Sequence, residues 1–495
     1  MFEAIELGLT LNKSDYKEKE NQFRTELLML QRELEQAKVA TLIIIAGVEG
    51  SGKGVVIDNI NNWLDNRSIE THAFWDETTD ESQRPVFWRY WMRLPARSSI
   101  AIMFGGWYWN TIYHHASGKT SDTVLDKSCQ RIKEFEHMLQ LDGTEIIKLW
   151  LHLPKKDFKE RIESRSNANQ HLGTNINGSI SKHYKSFIYA AERTIRHTDT
   201  PESPWHLIEA SDSYFRDAAV AKILANRFNK RIHEHRMNDR RINPTTTITD
   251  TSEKPPASVL DTLDLSLSLS KSEYKSQLKH YQQQLGELAW QAYDAKRSTV
   301  VVFEGWDAAG KGGSMRRLTG AIDARLYRGI NIAAPSDEEQ AHHYLWRFWR
   351  QVPRDGYMSI YDRSWYGRVL VERIEHLAKP QEWMRAYNEI NAFEEELIEH
   401  GSVVLKFWLH ISPEEQLKRF EARETTPWKR HKITQDDWRN REKHNEYVQA
   451  VNDMVTRTST GKAPWTLVAA NNKYYARIEV IKTLCQRLEE ALKGC

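Results

Sequence analysis

Cysteine is nearly absent. Cys129, Cys485 and Cys495 are scattered among 495 residues without disulfide or metal-ligand spacing, which excludes a disulfide scaffold and suits a reducing compartment. Net charge is nearly absent too. Lys+Arg 70 against Asp+Glu 68 leaves +2, so the overall field does not make the molecule a nucleic-acid or membrane binder, and any basic site must be local. Long apolar runs are also missing. The best of them, such as Leu42 to Ala46, cannot cross a bilayer, and the opening Met-Phe-Glu-Ala-Ile-Glu lacks the basic region of a secretion signal. The expectation is a cytoplasmic chain with no membrane and no nucleic acid among its partners. At 40% hydrophobic, it is long enough to bury two domain-sized cores.

What is present is organised around Ser298-Thr-Val-Val-Val-Phe-Glu-Gly-Trp-Asp-Ala-Ala-Gly-Lys-Gly-Gly-Ser-Met-Arg-Arg317. A β-branched run turns through glycines into a basic, helix-compatible segment. Gly305, Gly310 and Lys311 make it G-x-x-x-x-G-K, the loop whose backbone N–H groups and helix N-terminus converge on phosphate while the lysine adds a mobile positive charge. Gly305, Gly310 and Gly312, with Arg316 and Arg317 just beyond, are therefore candidate phosphate contacts. The Ser or Thr that usually follows the lysine and ligates Mg²⁺ is replaced by Gly312 and Gly313. A metal must be held elsewhere, with Asp307 the nearest candidate.

A second G-x-x-x-x-G-K stands at Gly47, Gly52 and Lys53, and Lys311 lies 258 positions after Lys53. A chance pair of motifs would not bring its surroundings along, but these do. Trp88-Arg-Tyr-Trp91 falls on Trp346-Arg-Phe-Trp349, and Lys148-Leu-Trp-Leu-His152 on Lys406-Phe-Trp-Leu-His410. Later the spacing becomes 260, pairing Trp205 with Trp465. The chain is expected to be a tandem duplication: residues 1–237, a linker over 238–257 rich in Thr, Pro, Asp and Arg, and residues 258–495. Strand candidates at 42–46, 100–104 and 146–151, and again at 299–303, 358–361 and 403–409, alternate with longer helical patterns. Such alternation predicts an α/β fold in each copy, a mostly parallel sheet flanked by helices.

Two further stretches carry chemistry. Gly356 to Arg368 contains a strand ending in Asp362-Arg363. An acid at a strand's carboxyl end beside a phosphate loop can hold Mg²⁺, and the adjacent arginine can fork onto phosphate oxygens. The segment Arg419 to Lys432, with Arg423, Lys429 and Arg430 inside it and Arg439, Arg441 and Lys443 after it, gathers cations as a polyanion site would. The first copy is the control. Between Arg165 and Lys182 it has neither lysine nor arginine, and it carries Glu49 for Asp307, Asp58-Asn59 for Arg316-Arg317 and Phe104-Gly105 for Asp362-Arg363. The fold alone does not require these charges, so the first copy is expected to be catalytically silent.

Phe303 to Gly313, Tyr361-Asp-Arg-Ser-Trp-Tyr-Gly-Arg-Val-Leu-Val-Glu372 and Glu389 to Glu394 with Lys406 to Ile411 resemble the polyphosphate kinase 2 family over roughly Leu265 to Leu488. A fused pair of such copies is similar to the polyphosphate:AMP phosphotransferases. The resemblance implies a P-loop kinase-like core with a helical lid and transfer of a terminal phosphoryl from inorganic polyphosphate to AMP, giving ADP. It also implies Asp307, Lys311, Asp362 and Arg363 as catalytic residues, with Asp307 and Asp362 on Mg²⁺. A basic lid of Arg419, Arg423, Lys429, Arg430 and Lys432 would lie on polyphosphate, and Arg368 and Glu372 on the nucleotide. Gly367 stands where the family often has asparagine. Other readings are ADP or another nucleotide as acceptor, an ATP-dependent nucleotide kinase, or a phosphate-sensing scaffold; a homo-oligomer is compatible with all of them.

Overall fold

The computed structural model describes residues 1–167, 184–241, 258–427 and 433–493. Asn12 accepts from the Asp15 amide and starts α1 (Lys13–Gln36), as a short polar side chain does at a helix N-cap. There follow β1 (Thr41–Gly47), α2 (Lys53–Trp63), β2 (Ile69–Ala73), β3 (Ile100–Phe104), α3 (Asp122–Leu141), β4 (Glu145–His152), α4 (Lys155–Asn167), α5 (Tyr184–Thr198), β5 (Trp205–Glu209) and α6 (Ser213–Arg241). The second copy repeats them as α7 (Lys271–Asp294), β6 (Thr299–Gly305), α8 (Lys311–Thr319), β7 (Tyr327–Asn331), β8 (Met358–Asp362), α9 (Pro380–Glu399), β9 (Val403–His410), α10 (Pro413–Thr425), α11 (Gln435–Glu442), α12 (His444–Thr458), β10 (Trp465–Ala469) and α13 (Lys473–Lys493).

Each copy builds its own five-stranded sheet, ordered β2-β3-β1-β4-β5 and β7-β8-β6-β9-β10, with every strand pair parallel. The central strands are buried along nearly their whole length, as sheets covered on both faces demand. Register confirms the duplication. Thr41 sits opposite Ile100 and Glu145, and Thr299 opposite Met358 and Val403. The strands flanking each sheet escaped the sequence reading: β2 and β7 are mostly exposed and polar, and β5 and β10 are five residues long. Helix α6 runs to Arg241, into the stretch expected to be linker.

By contacts the chain divides into two compact units. One holds Met1–Glu77, the chain from Arg89 to the described end of α6, and Asp337–His343; the other holds Thr78–Trp88 and the rest of the second copy. No described helix is long and apolar enough to cross a membrane. Cys129 and Cys485 are buried thiols without a disulfide.

From β6 the chain passes over β8 to the edge strand β7, returns to β8 and then crosses β6 to reach β9, so the order of connection reverses beside β6. The crevice at the carboxyl ends of β6 and β8 is where such sheets take ligands.

Candidate active site

The loop after β6 returns through Gly305, whose φ of +143° and close approach to the Leu409 carbonyl exclude any side chain. Gly310, at φ +114°, turns it into α8. Lys311 folds back along the loop, its Nζ 2.6 Å from the Gly305 carbonyl and 3.3 Å from that of Trp306. Asp362 ends β8 opposite Phe303, so its carboxylate faces the loop. Its Oδ2 is 3.9 Å from where a Cβ on Gly312 would stand. The missing loop hydroxyl is thus replaced by space in front of an aspartate.

Two non-glycine residues here hold left-handed backbone, Ala308 at φ +63° and Arg363 at φ +64°. The first copy has the same conformation at the same places but gives it to Gly50, φ +78°, and Gly105, φ +74°. Non-glycine residues at positive φ cost of order 1 kcal/mol and concentrate at functional sites. The second copy therefore carries strain that its sister avoids, and at Arg363 the strain buys a guanidinium. That side chain is 53% exposed and lies 3.4 Å from Asp307 Oδ1. Burial lowers its pKa, but the carboxylates of Asp307, Glu304 and Asp362 outweigh this and raise it.

Glu304 closes the floor. It is buried, accepts from Ser364 Oγ at 2.8 Å, and burial raises its pKa against the opposing pull of Lys311. With Asp307, Lys311, Arg363, Asn440 and Tyr447 it lines a cavity of about 70 Å³. The turn after Arg363 is clamped from below by Glu394. That carboxylate accepts from Trp365 Nε1 (3.1 Å), Tyr366 OH (2.6 Å) and Lys406 Nζ (2.7 Å). Glu136 does the same for Trp107, Tyr108 and Lys148 in the first copy, so this buried hub belongs to the fold and not to the chemistry.

One expected phosphate ligand is corrected. Arg419 is buried, and all five of its N–H groups are committed to protein: Nε to Glu415 and the two terminal nitrogens to the carbonyls of Ala308, Ala309, Ala470 and Asn471. It braces the loop from behind. Arg161 makes the same kind of bonds to Gly50, Ala210 and Ser211, so the fold does require this charge. Arg439 and Lys443 are likewise engaged, by Glu375, and Arg441 by the Pro413 carbonyl and Gln416. Arg423 remains on α10, close enough to act on Arg419 electrostatically, and Lys429, Arg430 and Lys432 lie outside the described residues. Arg316 is exposed at the loop helix; Arg317 bonds Tyr274 and the Gly313 carbonyl. Arg368 pairs with Glu372 at 3.1 Å and lies over the Tyr344 ring, while burial raises the Glu372 pKa.

Sequence reading missed Glu304, Arg477, Gln416, Asn440 and Tyr447. Arg477, on α13, reaches within 3.2 Å of where a Cβ on Gly313 would stand. The signal was in the duplication: the paired residues in the first copy are Asp217 for Arg477, Phe158 for Gln416 and Phe187 for Tyr447.

The corresponding crevice of the first copy is chemically different. Lys53 is 5% exposed, bonds the Gly47 and Val48 carbonyls and pairs with Glu49 at 3.6 Å. Phe104 and Trp109 stand where Asp362 and Gly367 do, their rings 5.6 Å and 6.0 Å from its Nζ. Aromatic faces close over the lysine.

Among the described residues, no group of three or more His, Cys, Asp or Glu could hold a metal. Asp307 in the loop and Asp362 at the end of β8 are nonetheless donors of the kind a hard divalent cation takes one or two at a time, completing its shell with phosphate oxygens and water.

The family model of Polyphosphate kinase 2 (PPK2) matches the chain twice, over residues 10–236 and 268–494. A Polyphosphate:AMP phosphotransferase of Pseudomonas aeruginosa is 42% identical over 100% of this chain and 99% of its own length. One from Acinetobacter johnsonii is 34% identical over 93% of each. A crystal structure of a Pseudomonas aeruginosa protein assigned to polyphosphate kinase 2 superposes with a TM-score of 0.89, at 41% identity, over 100% of both chains.

Proposed function

The chain belongs to the polyphosphate kinase 2 family, and from that premise we propose that its second copy moves the terminal phosphoryl of inorganic polyphosphate onto AMP in the cytoplasm. The observation that carries this is the contrast between two copies of one backbone: Asp307, Lys311 and Arg363 line one crevice with Asp362 at the strand end beside it, while Glu49, Phe104 and Gly105 occupy the places of Asp307, Asp362 and Arg363 in the other.

An oxygen of the AMP phosphate forms the new P–O bond as the terminal anhydride bond of the polymer breaks, and the shortened polyphosphate leaves with the bonding pair. The nucleophile is already anionic, so the protein's work is positioning and charge neutralisation. Lys311 and the loop N–H groups hold the donor end, and Asp307 orients the acceptor oxygen through the cation it would share with Asp362, since a carboxylate only accepts and cannot bond an anionic oxygen directly. Arg363 neutralises the transferring group, and Arg477 and Arg317 extend the positive surface along α8. Asp307 and Asp362 would hold Mg²⁺, which supplies charge neutralisation at the phosphate oxygens. The first copy serves packing, assembly or regulation and does not turn over.

A matrix of donors and acceptors tests the reading: purified protein with Mg²⁺ should make ADP from AMP and polyphosphate. ATP replacing polyphosphate with equal kcat/KM would make it an ordinary nucleotide kinase, and ADP preferred over AMP would reassign the acceptor.

The segment 428–432 is assigned to the donor. Polyphosphate touching several cations should lose affinity steeply between about 50 and 200 mM salt, more steeply than AMP. Neutralising Lys429, Arg430 and Lys432 together is expected to raise the KM for long polyphosphate about tenfold and to flatten its salt dependence. Loss of AMP affinity instead would move the segment to the acceptor side.

A further inference from the structure

Asp307 is held by more than its own loop. Asn440, on α11, places Nδ2 2.9 Å from Asp307 Oδ2, and the Tyr447 hydroxyl from α12 lies 3.2 Å from Asn440 Oδ1. A carboxylate only accepts, so the atom facing it must be the NH₂, which leaves the amide oxygen to accept from the phenol. Only this orientation satisfies all three groups. Burial, and then the charge of Asp307, push the Tyr447 pKa up, so its hydroxyl stays a donor. A second polar chain reaches the main chain of the same residue: Gln416 donates to the Asp307 carbonyl at 3.2 Å and accepts from Arg441 at 3.1 Å.

The duplication shows that the fold does not need this arrangement. In the first copy Tyr447 is replaced by Phe187, Gln416 by Phe158 and Asp307 by Glu49, and both phenylalanines are buried in the same helices. The Gln416 amide and the Tyr447 hydroxyl thus have no polar counterpart in the copy that carries Glu49.

We propose that Asn440 is a positioning residue for Asp307, its amide fixed by Tyr447 and its N–H holding Oδ2 so that Oδ1, 3.4 Å from Arg363, is turned into the crevice. This rests on the acceptor-orienting role of Asp307 given above. In this role Asn440, though it lines the cavity, need not touch substrate. It sets the direction of a group that orients the acceptor, and a small misplacement of an orienting group is enough to slow a reaction that depends on alignment.

The test is kinetic, on the full chain with AMP and polyphosphate. Asn440→Ala is expected to lower kcat about tenfold while both KM values stay within about twofold, the pattern of an interaction realised at the transition state. Asn440→Asp keeps the shape but sets a carboxylate against Asp307, and should lower kcat further, about a hundredfold; a packing role would leave this isostere like the wild type. Tyr447→Phe should cost about threefold alone and nothing added to Asn440→Ala, since it acts through the amide. Wild-type kcat in Asn440→Asp, or losses that follow a fall in thermal midpoint, would overturn the inference. Asp307→Asn run in parallel separates the two levels: full turnover there removes Asp307 from the mechanism, whereas its loss beside an unaffected Asn440→Asp removes only Asn440.

Discussion

Lys311→Ala is expected to lower kcat by about 10³-fold, whereas Lys53→Met should leave it within about twofold. The two lysines occupy equivalent places on equivalent loops, and each folds back onto carbonyls of its own loop. What differs is what each faces. Lys311 opens onto a crevice with Asp307, Asp362 and Arg363. Lys53 lies beneath Phe104 and Trp109 with Glu49 as its counter-ion. Methionine is the fair replacement there, because it keeps the stem packed under the rings and removes only the charge. The measurement is steady-state ADP formation for each variant, with thermal midpoints beside it. Comparable losses from both substitutions would mean that the first copy turns over, or that the two sites work as one.

Arg363→Gly should be nearly as damaging, with a loss of about 10³-fold or more in kcat, the range found when an arginine is taken from a transferring phosphoryl group. Glycine is the informative choice. The backbone already accepts it at Gly105, where φ is +74°, so the substitution relieves a strained conformation and any loss of activity reports the missing guanidinium. The thermal midpoint should stay within about 2 °C of the parent, because relief at positive φ offsets the lost ion pair with Asp307, an exposed pair of small worth. Activity within tenfold of wild type would show that Lys311 and the loop N–H groups neutralise the phosphoryl unaided.

The duplication, the parallel α/β class and the two phosphate loops were legible from residues alone. Each is recorded locally: a β-branched run, a glycine where φ must be positive, a lysine at the first helical position. Asp362-Arg363 was legible for the same reason, since a strand end next to a loop is a short-range fact. The outer strands were not, because β2 and β7 have too few buried residues to show a period. Arg419 was misread because a cation in a basic segment looks the same whether it meets a polyanion or five acceptors of its own chain. Asn440, Gln416 and Tyr447 were missed because no periodicity says which polar residues on α10, α11 and α12 will turn toward Asp307. Sequence by itself determined that this chain is one phosphate-binding fold written twice, with charge kept in the second copy. Only the tertiary structure decided which of the described charges, Arg419 first among them, are committed to acceptors of the chain itself. Hydrogen bonding is satisfied in space, and a donor spent on a carbonyl more than a hundred residues away is spent all the same.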